Sequence, residues 1–283
     1  MGWTIRKILS WSSPYLESKG VESPRLDAEL LLGHALGIKR IDLYLDMDRP
    51  MAAEELESYR GLLKRRSLKE PVAYILGEKE FYSRTFHVNA KVLIPRPESE
   101  LLVEQALAMA PLGEKILEVG VGSGAVIVSV LAERGDLEGF GSDVTRQTIN
   151  VAIKNATLHG VANRAAFFVG DGFSPVKARF PLIIMNPPYI GNSQAPDLED
   201  DVLLYEPHGA LFGGNDGLDI IKEIVRNVGD HLRRKGRFIM ETGYGQKEKI
   251  DDLIRSAGGI RTHSWIKDLS GKDRVVVVER KDG

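Results

Sequence analysis

Cysteine is absent from the 283-residue chain. That excludes disulfides, thiolate nucleophiles and cysteine-held zinc or iron–sulfur sites. Histidine is sparse, and the six (34, 87, 159, 208, 231, 263) form no ligand-spaced pair; no metal is expected. No apolar run is long enough to span a bilayer. The start, Met1-Gly2-Trp3-Thr4-Ile5-Arg6, lacks a signal-peptide core, and Arg6 stands where myristoylation needs Ser or Thr. A cytoplasmic protein without a membrane partner is expected. An excess of positive charge is also lacking: the net charge is −2, so direct nucleic-acid binding is not expected. The run Lys64-Arg65-Arg66 reads as a local basic patch or, more plainly, as a solvated helix face. The 43% hydrophobic content is that of a soluble globular chain, long enough for one large domain or two unequal ones.

Residues 1–76 read as a helical bundle. Leu26, Leu30, Leu31, Ala35 and Leu36 recur near helical spacing between a start signal, Ser23-Pro24, and a stop, Gly37. A second amphipathic stretch runs from Ala52 to Leu68. Residues 77–93 form a linker with a hairpin: Glu80-Phe81-Tyr82 and Thr85-Phe86-His87-Val88 flank Ser83-Arg84. Residues 94–283 alternate. Strands are predicted at 115–119, 138–142, 166–169, 181–185, 236–241, 260–266 and 273–279, and helices near 97–110, 124–134, 145–159, 217–234 and 246–256. That alternation means an open α/β sheet covered on both faces. Only Asp268 to Asp273 separates the last two strands, too little for a parallel crossover, so they should pair antiparallel.

Asn186-Pro187-Pro188-Tyr189 follows the apolar run Leu182-Ile183-Ile184-Met185. Each proline fixes φ and restricts the residue before it. The outcome is a rigid pair of acceptors, the Asn186 side-chain oxygen and the Pro187 carbonyl, beside an aromatic ring. Such a set suits a planar –NH2 group, whose two protons the acceptors take while Tyr189 stacks on its plane. A proline-rich turn is the plainer alternative. The arrangement resembles the substrate clamp of S-adenosylmethionine-dependent amino-methyltransferases.

Ile116-Leu117-Glu118-Val119 leads into Gly120-Val121-Gly122-Ser123-Gly124-Ala125. Closely spaced glycines between strand and helix bring backbone against a ligand. Asp143, at the end of the next strand, can accept both ribose hydroxyls of an adenosine. The spacing also satisfies the dinucleotide fingerprint. Glu118, able to hold an ammonium or organise the loop, and the later clamp favour S-adenosylmethionine. Asp171-Gly172 is placed to meet adenine, with Asp171 accepting from the exocyclic amine and Phe173 packing nearby.

Further segments narrow the resemblance: Ser23-Pro24-Arg25-Leu26-Asp27-Ala28-Glu29; Glu70 to Gly77 with Glu80-Phe81; Ile94-Pro95-Arg96-Pro97-Glu98-Ser99-Glu100; Tyr205-Glu206-Pro207; and Ala210 to Leu218. Together, in order and over nearly the whole chain, they resemble the release-factor glutamine N5-methyltransferases, the PrmC/HemK family. The resemblance implies a Rossmann-like methyltransferase sheet, mostly parallel with an antiparallel C-terminal hairpin, behind a small N-terminal helical bundle. It implies S-adenosyl-L-methionine as cofactor and class I peptide chain release factors as partners, with the glutamine of their Gly-Gly-Gln loop as substrate. Asn186 and Pro187 would hold the glutamine amide, with Pro188 and Tyr189 shaping its pocket. The glycine loop (Gly120, Val121, Gly122, Ser123, Gly124) and Asp143 would hold the cofactor, and the helical domain would dock the release factor. Arg96 would meet the substrate loop or product. Glu118 stands where Asp is frequent, and Gly172 where some relatives carry a larger residue. Pro97, Glu98 and Glu100 also suit a plain helix start. Tyr205 and Glu206 serve equally as structural staples, and Gly213 to Gly217 as a flexible loop with a helix cap.

No general base stands out, so catalysis is expected from positioning and electrostatics. The rivals are an amino-methyltransferase acting on adenine N6 or guanine N2, a non-catalytic cofactor-binding scaffold, and a nicotinamide dehydrogenase.

Overall fold

The computed structural model describes residues 2–282. The chain divides into two compact units: a helical unit that reaches to Glu78 and includes Glu199–Tyr205, and a second unit made of Lys79–Leu198 and the chain from Glu206 onward. The hairpin therefore groups with the second unit, and one short segment of the later chain belongs to the helical one.

The helical unit holds α1 (Ile5–Ser18), α2 (Pro24–Leu36), α3 (Ala53–Ser67) and α4 (Val72–Leu76). Thr4 caps α1 by accepting from the Lys7 amide, and Gly37 ends α2 in the left-handed conformation. Ile5, Leu9, Leu16, Ala28, Leu31, Leu32, Leu43 and Tyr59 form the core. The buried stripe of α2 differs from the predicted one. Leu26 is exposed, and Asp27 turns inward because Arg66 Nε meets its carboxylate at 2.7 Å. The expectation that Lys64-Arg65-Arg66 forms a solvated face thus fails at Arg66, which is buried.

β1 (Glu78–Phe81), in the second unit from Lys79 on, and β2 (Arg84–His87) make the hairpin. Tyr82 and Ser83 both have positive φ, so the two-residue turn lies one position before the predicted Ser83-Arg84. Next come α5 (Glu100–Met109), β3 (Lys115–Val119), α6 (Ala125–Glu133), β4 (Glu138–Asp143), α7 (Arg146–Leu158), β5 (Ala165–Val169) and β6 (Phe180–Met185). The short helix α8 (Asp200–Tyr205) belongs to the helical unit. The chain ends with α9 (His208–Leu211), α10 (Asp219–His231), β7 (Leu232–Glu241), α11 (Lys247–Ala257), β8 (Ile260–Lys267) and β9 (Asp273–Arg280). The sheet order is β5-β4-β3-β6-β7-β9-β8. Pairing is parallel from β5 to β7, and β9 runs antiparallel to both β7 and β8. β7 begins four residues earlier than predicted, where a register shift against β6 and the positive φ of Lys235 break its pattern.

Successive strand residues alternate between two cores. Ile116, Leu182, Ile184, Ile239 and Val275 pack with α5, α6 and α7 on one face. Leu117, Val119, Ile183, Met185, Phe238 and Met240 pack with α10 and α11 on the other. Burial on both faces explains why these strands read as unbroken apolar runs. From β3 the connections run one way to β4 and β5, and from β6 the other way to β7. The carboxyl ends of β3 and β6 therefore border the switch point where open α/β sheets bind ligands. Among the described residues no helix is long and apolar enough to cross a membrane.

Candidate active site

A cavity of about 430 Å³ opens at that switch point, wholly within the second unit. Arg96, Glu118, Gly120, Val121, Gly122, Ser123, Asp143, Asp171, Gly172, Asn186 and Pro188 line it. Of the residues expected to hold cofactor or substrate, Gly124, Pro187 and Tyr189 do not, and Phe173 packs into the core beside α10 instead.

The glycine loop follows β3, whose last residue pairs with the last residue of β6. Gly120 and Asn186 consequently leave neighbouring strand ends side by side. Asp143, ending β4, accepts from the Gly122 amide at 2.9 Å and the Val144 amide at 2.8 Å, one on each carboxylate oxygen. The Thr145 amide also acts on this carboxylate, and the acceptor capacity left over is what a ligand hydroxyl would use. Burial raises the Asp143 pKa, and these backbone bonds oppose the rise. Gly124 precedes α6 with φ +81°, and a Cβ there would lie 3.3 Å from Ala152 of α7. Its absent side chain serves helix packing.

Glu118 is almost wholly buried and lines the cavity floor. Its Oε2 accepts from the Ile127 amide at 2.9 Å, capping the first turn of α6. Burial pushes its pKa up to about 8, with nearby Asp143 adding to the rise and the Ile127 bond opposing it.

Asn186 Nδ2 donates to Ser99 Oγ at 3.0 Å. Ser99 in turn donates to Glu241 Oε2 at 2.6 Å, and the Tyr189 hydroxyl donates to Glu241 Oε1 at 3.1 Å. Glu241 is fully buried, which raises its pKa; the bonds from Ser99 and Tyr189 and the charge of Arg274 counter that rise. Tyr189 is raised as well, by burial and then by Glu241, and stays a donor. Sequence reasoning passed over Ser99 and Glu241. The available signal for Glu241 was an acid closing the apolar run Phe238-Ile239-Met240.

The loop after α9 buttresses the clamp. Ile190 and Phe212 form a parallel bridge, and the Gly213 amide donates to the Ile190 carbonyl at 2.9 Å. Gly217 has φ +73°, and a Cβ there would fall 2.1 Å from the Tyr189 carbonyl oxygen. The Gly213–Gly217 run is therefore a close-packed support, where a flexible loop was the plainer reading. Glu206 is a staple: it is buried and accepts from Arg96 Nη2 at 2.5 Å and from the Ile94 amide at 3.1 Å. Tyr205 falls in the helical unit, its hydroxyl donating to the Leu68 carbonyl at 2.7 Å.

Comparison with known proteins agrees with this construction. The family described as PrmC N-terminal domain matches residues 7–77, and the methyltransferase small domain matches residues 97–205. The chain is 41% identical over 275 residues to the release factor glutamine methyltransferase of Geobacter sulfurreducens, covering 97% of this chain and 96% of that protein. It is 36% identical over 279 residues to the namesake from Caulobacter vibrioides, covering 97% and 96%. Among solved structures, a methyltransferase from Pyrococcus furiosus shares the fold at a TM-score of 0.54 and 18% identity, over 72% of this chain and 92% of that one. Matched along almost its entire length at this level of identity, the chain belongs to the release factor glutamine methyltransferase family.

Proposed function

We propose that this protein transfers a methyl group from S-adenosyl-L-methionine to the side-chain amide nitrogen of the glutamine in the Gly-Gly-Gln loop of class I peptide chain release factors. The observation that carries this reading is Asn186, an anchored amide on the cavity wall at the end of β6, one strand away from the glycine loop.

The lining fits the cofactor. Asp143 has lone pairs left for ribose hydroxyls, and Glu118 offers a carboxylate to an ammonium. Asp171 can accept from an adenine amine, with Gly172 leaving room beside it. The backbone at Gly120 and Gly122 can approach a ligand closely because side chains are missing there. When bound, the cofactor supplies a methyl activated by its sulfonium.

An amide nitrogen is a weak nucleophile because its lone pair is delocalised into the carbonyl. Asn186 Oδ1 and the Pro187 carbonyl each accept one N–H of the glutamine amide. This holds the lone pair toward the methyl and favours a pyramidal nitrogen as positive charge develops. Pro188 and Tyr189 support the pocket wall, and the proton leaves afterwards to water. Arg96, held by Glu206, stands where the substrate loop enters. The helical unit is the docking element for the release factor.

The test is mass spectrometry of the tryptic Gly-Gly-Gln peptide from a purified class I release factor incubated with the protein and S-adenosyl-L-methionine. One added methyl on the glutamine side chain is expected. No methylation, with the cofactor still bound, would overturn the substrate and point to exocyclic amines of nucleic acid.

A further inference from the structure

We infer that Ser99 and Glu241 form a polarity relay that sets which way the Asn186 amide faces, making both of them positioning residues for the transfer. The inference rests on the reading that Asn186 holds the substrate amide.

A side-chain amide is nearly symmetric in shape, and its oxygen and nitrogen ends are told apart only by their hydrogen bonds. At Asn186 the choice matters. A substrate –NH2 needs an acceptor, and a reversed Asn186 would confront it with another donor.

The choice is made behind the clamp. The two Glu241 oxygens each accept a hydroxyl proton, from Ser99 at 2.6 Å and from Tyr189 at 3.1 Å, so the carboxyl presents no donor to either. Ser99 has a single proton, and Glu241 takes it. Only lone pairs remain on Ser99 Oγ, so Asn186 must present Nδ2, at 3.0 Å. Oδ1 is then the branch left for a ligand. The relay joins three places far apart in sequence: the turn before α5, the end of β6 and the end of β7.

Folding gives no reason for an acid at the end of β7. Phe238, Ile239 and Met240 before it are fully buried apolar residues. Burying a carboxylate costs free energy that an apolar or amide side chain of similar size would avoid. A side chain that accepts through both oxygens fixes the direction of the chain of hydrogen bonds, whereas an amide, with an acceptor at one end and a donor at the other, does not. With glutamine at 241 the chain can reverse: the amide donates to Ser99, Ser99 donates to Asn186 Oδ1, and Nδ2 turns to the substrate.

The test compares wild type, Ser99→Ala, Glu241→Gln, the double variant and Asn186→Ala as full-length proteins. It measures kcat on a purified release factor, Kd for S-adenosyl-L-methionine by calorimetry, and melting temperature. Each single relay variant should lose about tenfold or more in kcat, with cofactor Kd held within about twofold. The double variant should fall no more than about twofold below the poorer single, because both cut one chain. Multiplying losses, or wild-type kcat in either single variant, would overturn the relay. If Glu241→Gln does not fold, Ser99→Ala, which removes a single oxygen, decides. An active Asn186→Ala would remove the underlying reading of the clamp. An inactive Asn186→Ala beside a fully active Ser99→Ala would remove the relay alone.

Discussion

Asp143 and Glu118 are both acids at strand ends, and their surroundings give them different tasks. Asp143 anchors the glycine loop and keeps acceptor capacity for a ligand hydroxyl. Asp143→Ala should weaken S-adenosyl-L-methionine binding about tenfold or more; an unchanged Kd by calorimetry would refute its role. Glu118 is buried and ionises only near 8, against an ordinary value of 4.5 for the unfolded chain. Between those values the folded protein binds the extra proton, so this residue's contribution to stability falls as pH rises through the window. Glu118→Gln removes that loss. In ligand-free protein the melting temperature of the variant relative to wild type should climb from the lower end of the window to the upper. A constant offset would show that Glu118 does not titrate as its burial implies. The acids themselves were legible from their places at the ends of predicted strands. Their protonation was not, because it depends on desolvation by residues remote in sequence.

Among the elements, the strands and long helices of the second unit fall within a few residues of their predicted bounds. Two-sided burial leaves a strong apolar signal in each. The short elements between β6 and α10 went unseen, since α8 and α9 have only 6 and 4 residues. That stretch carries the support of the clamp. Gly217→Ala should destabilise the protein by about 2 kcal/mol, since it adds a Cβ at positive φ against the Tyr189 carbonyl. In a urea titration the midpoint should drop, and kcat should fall further than cofactor affinity because the displaced backbone is that of the clamp. Unaltered turnover would mean that the loop does not hold Asn186-Pro187-Pro188-Tyr189 in place.

At the level of the whole molecule, the helical unit is not a plain N-terminal segment. Arg66 joins buried Asp27 and also meets Asp201 at 3.3 Å, while Lys69 meets Asp200 at 3.5 Å. Tyr205 adds its bond to Leu68. These partners arrive about 130 residues later in the chain. A fragment ending at Glu78 would lack all three and leave Arg66 with Asp27 and the Glu70 carbonyl. It should unfold at lower urea than the same unit within the full protein, monitored by a fluorophore attached to a cysteine introduced in α3. Equal midpoints would show that the returning segment adds nothing to the unit.

The chain alone determined its class. Apolar periodicity, the glycine loop after β3, the acid ending β4 and the proline-locked amide after β6 are local patterns, and local patterns survive in a one-dimensional string. Tertiary structure alone decided how the amide is held. Ser99 and Glu241 are separated by 142 residues, and nothing in the Asn186-Pro187-Pro188-Tyr189 run announces either of them. Hydrogen-bond direction inside a protein depends on which donors and acceptors are brought within about 3 Å of one another and shut away from water. Only the folded sheet sets that condition.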